Sequence, residues 1–154
     1  NNGNQTWYLA QNLEEGGHTI KVKIYNKAGL TGEDSVSFTV DITAPTVNIS
    51  QPTSGAYLNT SDVLVQWSGS DNYGIDHYEV KIDSNSWVNV GTSTSYTFTG
   101  LGDGGHTAYV KAVDKAGNEN TSQVTFTVDT TVPTLSITSP ESNAYLNFGN
   151  CESK

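Results

Sequence analysis

The chain has 154 residues and a mass of 16.5 kDa, with sixteen acidic residues against seven lysines and no arginine. A net charge of −9 argues against nucleic acid as a partner, because neutralisation of phosphates by basic side chains dominates that affinity. Only 34% of the residues are apolar; no window approaches the ~20 apolar residues of a membrane span, and the one cysteine, Cys151, excludes an intrachain disulfide framework or a cysteine-cluster metal site.

The apolar residues between 44 and 131 alternate with period two, the pattern of half-buried strands. Val47 and Ile49 make a first short strand, and Val63, Val65 and Trp67 alternate with Leu64, Gln66 and Ser68 in a second. Tyr78, Val80 and Ile82 alternate with His77, Glu79, Lys81 and Asp83 in a third. A short segment around Trp87 and Val90 follows, then Tyr96 and Phe98 among threonines. His106, Ala108, Val110 and Ala112 alternate with Thr107, Tyr109, Lys111 and Val113, and Val124, Phe126 and Val128 close the series. Turn-forming clusters at 68–74, 83–86, 102–105 and 115–120 separate the runs. About seven strands at this spacing predict an all-β fold, an antiparallel sandwich of two sheets.

The sequence also repeats itself. Gly16-Gly17-His18-Thr19 returns 88 residues later as Gly104-Gly105-His106-Thr107. Phe38-Thr39-Val40-Asp41 returns as Phe126-Thr127-Val128-Asp129, and Ala56-Tyr57-Leu58-Asn59 as Ala144-Tyr145-Leu146-Asn147. Residues 1–43 therefore read as the C-terminal half of one repeat, 44–131 as a complete repeat, and 132–154 as the opening strands of a further one. Proline at each junction, Pro45 and Pro133, ends strand pairing and stiffens the linker, since it lacks an amide donor and fixes φ. The flanks together lack the positions of 67–88, so two readings stand: a segment of a longer polypeptide, or copies that complete each other head to tail by strand addition. The expected partners are thus neighbouring repeats or copies of the chain itself, with no membrane insertion in this segment.

The run Ser95-Tyr96-Thr97-Phe98-Thr99-Gly100-Leu101, followed by Asp103-Gly104-Gly105-His106 and Val110-Lys111-Ala112-Val113-Asp114-Lys115-Ala116-Gly117-Asn118, resembles the immunoglobulin-like, or fibronectin-III-like, tandem repeats of bacterial and archaeal cell-surface proteins. The resemblance covers 44–131 fully and the flanks in part. It implies an extracellular or cell-surface setting and a structural task, as spacer or assembly module of a surface layer, adhesin stalk or extracellular filament. The alternative is a non-catalytic accessory or carbohydrate-binding module of a secreted polysaccharide-acting enzyme. Trp67 stands where such domains keep a core tryptophan. His106 stands where fibronectin-III domains usually carry a corner tyrosine, and an imidazole can supply the same hydrogen bond.

No catalytic residue is expected, because no Ser/His/Asp arrangement, HExxH or phosphate loop is present, and no cofactor is called for. His18 and His106 follow equivalent Gly-Gly turns and read as structural corners; His77, between Asp76 and Glu79, reads as solvated. Asp71, Asp76, Asp114 and Asp129, with Asn72 and Asn118, fall in loops or at strand ends. They are either solvated turn carboxylates or, with Asp71, Asp114 and Asp129 as the candidates, ligands of a calcium ion, which takes six to eight oxygens. Asn4, Asn48, Asn59 and Asn120 lie in Asn-x-Ser/Thr sequons and are glycosylation candidates. Trp87 and Tyr109 are the candidates for contact with surface glycans, against a plainer reading as partly packed rings. Lys21, Lys23 and Lys111 read as charges that keep strand edges from pairing.

Overall fold

A computed structural model of the protein describes residues 10–145. Ten strands follow in order: β1 Gly16–Tyr25, β2 Thr31–Val40, β3 Thr46–Gln51, β4 Ala56–Leu58, β5 Val63–Ser70, β6 Ile75–Ile82, β7 Val88–Gly91, β8 Ser95–Phe98, β9 Gly104–Asp114 and β10 Glu119–Val128. Strands β3 to β10 make a two-layer sandwich: a five-stranded sheet in the order β4-β10-β9-β6-β7, and a three-stranded sheet in the order β3-β5-β8. The inward residues are those of the alternating pattern. Val63, Val65 and Trp67 of β5 join one buried cluster with Tyr78, Val80 and Ile82 of β6, Ala108, Val110 and Ala112 of β9, and Val124, Phe126 and Val128 of β10. Full burial of such a side chain contributes roughly 1.5–3 kcal/mol, so this cluster drives the pairing of the layers. Trp67 meets Tyr78 of the opposite sheet edge to face, with ring centres 5.7 Å apart.

Three features depart from the expectation. Ala56–Leu58 forms the short strand β4, and it runs parallel to β10, with Ala56 opposite Phe126 and Leu58 opposite Val128. Three residues are too few to show alternation. Val113 is buried rather than wet, although it pairs with His77 and stands outside the core cluster that takes in Ala112 and Tyr78; Ala112, Val113 and Asp114 are consecutively buried there. Lys111 guards no edge, since β9 is an inner strand; its ammonium bridges Glu79 of β6 at 2.7 Å and Glu119 of β10 at 3.5 Å.

The hairpin β1–β2 stands outside the sandwich and has the geometry of β9–β10. Gly16 pairs with Val40 as Gly104 pairs with Val128, and the ladders proceed in the same register. The His18–Phe38 rings lie 5.7 Å apart at 31°, and the His106–Phe126 rings 5.8 Å apart at 33°. Burial differs because, among the described residues, no second layer lies across the hairpin. Ile20, Val22, Ile24 and Val36 are exposed, although they hold the positions of buried Ala108, Val110, Ala112 and Val124. Residues 132–145 contain no strand, and Leu135 and Ile137, placed as Val47 and Ile49 are in the repeat, stay exposed. β3 is held by β5, whose first residue is Val63, and the position 88 residues beyond Val63 is Cys151, outside the described residues.

Candidate functional site

The chain passes from the hairpin into the sandwich through residues 41–45. This linker is fixed by side-chain amides at the start of β10: Asn118 Nδ2 donates to the Asp41 carbonyl at 3.1 Å, and Asn120 Nδ2 to the Pro45 carbonyl at 2.9 Å. Glu15 adds a clasp, accepting hydrogen bonds from the Thr43 hydroxyl and the Asn72 amide.

Three carboxylates converge at this place, and each is positioned by a local turn. Asp41 Oδ1 accepts the Thr43 amide at 3.1 Å in the linker. Asp71 Oδ1, in the β5–β6 loop, accepts the amides of Tyr73 at 2.8 Å and Gly74 at 2.9 Å; Gly74 takes a positive φ of 98°. Asp114 ends β9. Its Oδ1 accepts the amides of Ala116, Gly117 and Asn118 at 2.7–2.9 Å, and its Oδ2 the Asn118 side chain at 2.8 Å. One oxygen from each of the three aspartates lies within 4.8 Å of the other two. The Oδ2 atoms of Asp41 and Asp71 are sealed from solvent and have no hydrogen-bond partner.

The electrostatics differ along the trio. Burial raises the pKa of Asp41, and the charges of Asp114, Asp71 and Glu15 add to that rise, against the lowering effect of the Thr43 amide. Burial also works to raise Asp114, but its bonds from Asn118 and the turn amides outweigh this and hold it below the ordinary range.

Of the calcium candidates, Asp71 and Asp114 meet and Asp129 does not join them. Asp129 follows the far end of β10, roughly 30 Å away at ~3.3 Å per residue. There its Oδ1 accepts the Thr131 amide at 3.2 Å, as Asp41 does from Thr43. The third member, Asp41, is the residue 88 positions before Asp129. The repeat offset was the signal that could have found it. Asp103 occupies the place of Glu15, accepting the hydroxyls of Thr130 and Thr131 at 2.7 and 2.8 Å.

The other candidates fall elsewhere. His106 is a corner residue: Nε2 binds the Gly102 carbonyl at 2.9 Å and Nδ1 binds Asp83 Oδ2 at 2.8 Å, while Asp83 Oδ1 accepts the Thr107 amide at 2.8 Å. His18 Nε2 repeats the bond, to the Glu14 carbonyl at 2.7 Å. His77 is half-buried and bonded to Asp76 at 2.8 Å. Trp87 and Tyr109 come together, but edge to face at 74° rather than in one plane, and both are half-buried. Lys81 Nζ sits 4.9 Å from the Trp87 ring centre and 4.7 Å from that of Tyr109, and Lys111 Nζ 4.9 Å from Trp87. Among the sequons, Asn48 and Asn59 are exposed, Asn120 commits its amide to Pro45, and Asn4 lies outside the described residues, as does Cys151.

Comparison with known proteins places this arrangement in context. A family model described as a bacterial Ig-like domain matches residues 47–130. Halomucin from Haloquadratum walsbyi is 41% identical over 103 residues, which cover 65% of this chain and 1% of halomucin. The chain thus spans about a hundredth of the length of that relative. Among solved structures, a fibronectin(III)-like module of Clostridium thermocellum CbhA gives a TM-score of 0.49 at 17% identity, over 57% of this chain and 100% of the module. The extracellular domain of BT3049 from B. thetaiotaomicron gives 0.47 at 17% identity, over 69% of this chain and 19% of that one.

Proposed function

The chain belongs to the bacterial Ig-like domain family, and from that premise we propose that it is a run of spacer repeats in an extracellular surface protein. The observation that carries the reading is where the backbone enters and leaves the sandwich. It enters beside Asn118 and Asn120, at the start of β10, and leaves after Val128, at the other end of the same strand. Ten extended residues separate the two points by about 33 Å, so successive repeats add length rather than folding back on one another. The 88-residue register and the proline junctions support the same reading, and so does a relative about a hundred times longer than the matched segment. The acidic surface keeps such a chain soluble and self-repelling. The edge-to-face setting of Trp87 and Tyr109, with lysines over the rings, favours this task over that of a sugar-binding accessory module, which uses several coplanar rings. Small-angle scattering of tandem polypeptides with increasing numbers of residues 44–131 tests it. The maximum dimension is expected to rise linearly, by about 35–40 Å per repeat; a dimension that grows only as the cube root of repeat number refutes it.

A further inference from the structure

We propose that Asn59 carries an N-linked glycan whose first sugar lies over the ring of Tyr57. Asn59 opens the sequon Asn59-Thr60-Ser61 and follows the last residue of β4. Side chains two positions apart on an extended chain share a face. Ala56 and Leu58 pack against the core, so Tyr57 and Asn59 stand on the outer side, and both are exposed. Tyr57 is 80% exposed, and among the described residues its ring has no aromatic or lysine partner. A bare ring of that size gains from a cover. A sugar supplies one, because its C–H bonds are slightly positive and settle on the negative face of an aromatic ring. Two residues of extended chain span about 7 Å, a distance that one sugar on the Asn59 amide bridges.

The structure separates this sequon from the others. Glycan transfer needs a free amide and a free hydroxyl two residues on, in a chain turned out of any ladder. Residues 59–61 belong to no strand, and the Asp62 amide donates to the Thr60 hydroxyl at 3.2 Å to hold the bend. Among the described residues, neither the Asn59 amide nor the Ser61 hydroxyl is engaged in a hydrogen bond, whereas Thr60 between them is. Asn48 lies inside the β3–β5 ladder opposite Ser68, and its sequon hydroxyl, Ser50, donates to the Gln66 carbonyl at 3.2 Å. Asn120 has given its amide to Pro45. In the transfer, the Asn59 amide nitrogen attacks the anomeric carbon of a lipid-linked oligosaccharide. The nitrogen–carbon bond forms and the bond from that carbon to the phosphate oxygen breaks. The lipid phosphate leaves with the electron pair, and the amide gives up one proton. Because the Leu58 carbonyl accepts the Asp129 amide, the glycan would stand beside the exit linker and screen it. The inference needs an exported chain but not the spacer task, so either reading can fail alone.

The test is glycosylation of the folded full chain in vitro by a single-subunit oligosaccharyltransferase that reads Asn-x-Ser/Thr, with a lipid-linked oligosaccharide as donor. Peptide mass spectrometry locates the sugar. Asn59 should be modified at least tenfold faster than Asn48 or Asn120, and Asn59→Gln should remove that fast reaction. The chain with sugar at Asn59 should melt about 2–4 °C above the unmodified chain. Tyr57→Ala, at an exposed position, should leave the melting of the unmodified chain unchanged and abolish the rise. The proposal is overturned by any of three results: no sugar at Asn59; modification of Asn48 or Asn120 as fast as that of Asn59; or a rise that persists in Tyr57→Ala.

Discussion

Gly69→Ala tests the packing between the sheets at its tightest point. Gly69 pairs with Val47 across the β3–β5 ladder. A Cβ there would stand 2.6 Å from the Tyr78 hydroxyl, 3.1 Å from a Tyr78 ring carbon and 2.7 Å from the Thr46 carbonyl oxygen. The first contact can be relieved only by moving a side chain that is 4% exposed, and the last only by moving strand β3. Overpacking of this kind costs about 1–3 kcal/mol, and the smaller conformational entropy of an unfolded alanine offsets about 0.4–1 kcal/mol. A net loss of about 1–2 kcal/mol corresponds to a fall of roughly 5–15 °C for a domain of this size. Thermal unfolding followed by circular dichroism reads it. Adding Tyr78→Phe removes one of the two short contacts, so the double variant should regain part of the loss, a coupling that a double-mutant cycle measures. A Gly69→Ala protein that melts at or above the wild type would refute the packing argument.

Further outcomes are expected at other positions. The Asp83 hydrogen bond, then the Gly102 carbonyl, raise the pKa of His106 above its ordinary 6.5 against the pull of burial. Burial alone would raise Asp83, but hydrogen bonds from His106 and Thr107 lower it below 3.8. The histidine contribution is complete below pH 6.5 and fades as pH rises through the raised value; the aspartate contribution is complete above 3.8 and fades as pH falls through the lowered one. Melting temperature should therefore fall as pH rises above about 6.5 in the wild type, and a His106→Phe variant should lack that slope. Phe126→Ala, at a position 2% exposed in the centre of the core, should cost about 3–5 kcal/mol in urea unfolding. Trp87→Ala removes two lysine–ring contacts at a half-buried site and should cost no more than about 2 kcal/mol by the same measurement. Deleting residues 1–43 should leave the melting of the sandwich within a few degrees of the full chain, since its core draws on residues 47–128.

The strands of the sandwich were legible because period-two alternation records which face is dry. Val63, Val65 and Trp67, or Tyr78, Val80 and Ile82, state their own orientation. β4 was not legible, because its three residues are held by a parallel partner about 70 positions away rather than by any local pattern. Val113 misled for another reason: it keeps the outer-face register opposite His77 and lies outside the core cluster, yet is buried, and alternation names a face without saying what covers it. At the acidic site, Asp71 and Asp114 were marked by their turn positions. Asp41 was passed over in favour of Asp129, since the alternation says which residues belong to a repeat but not that a repeat's site borrows a side chain from the junction before it. The lysines over Trp87 and Tyr109 come from β6 and β9, so only the register of that pair brings them together.

The parallel alignment of β4 with β10 has a mechanical meaning. When the polypeptide is tugged at both ends, β4 is drawn toward the amino-terminal pole while β10 is drawn toward the opposite one. Strands lying side by side in the same sense then slide past each other, and every rung between them bears load at once; an antiparallel hairpin pulled from its open end parts one rung at a time. The short strand from Ala56 to Leu58, with the Asp129 amide bonded to the Leu58 carbonyl at 2.9 Å, is so placed that such a pull would load it in shear.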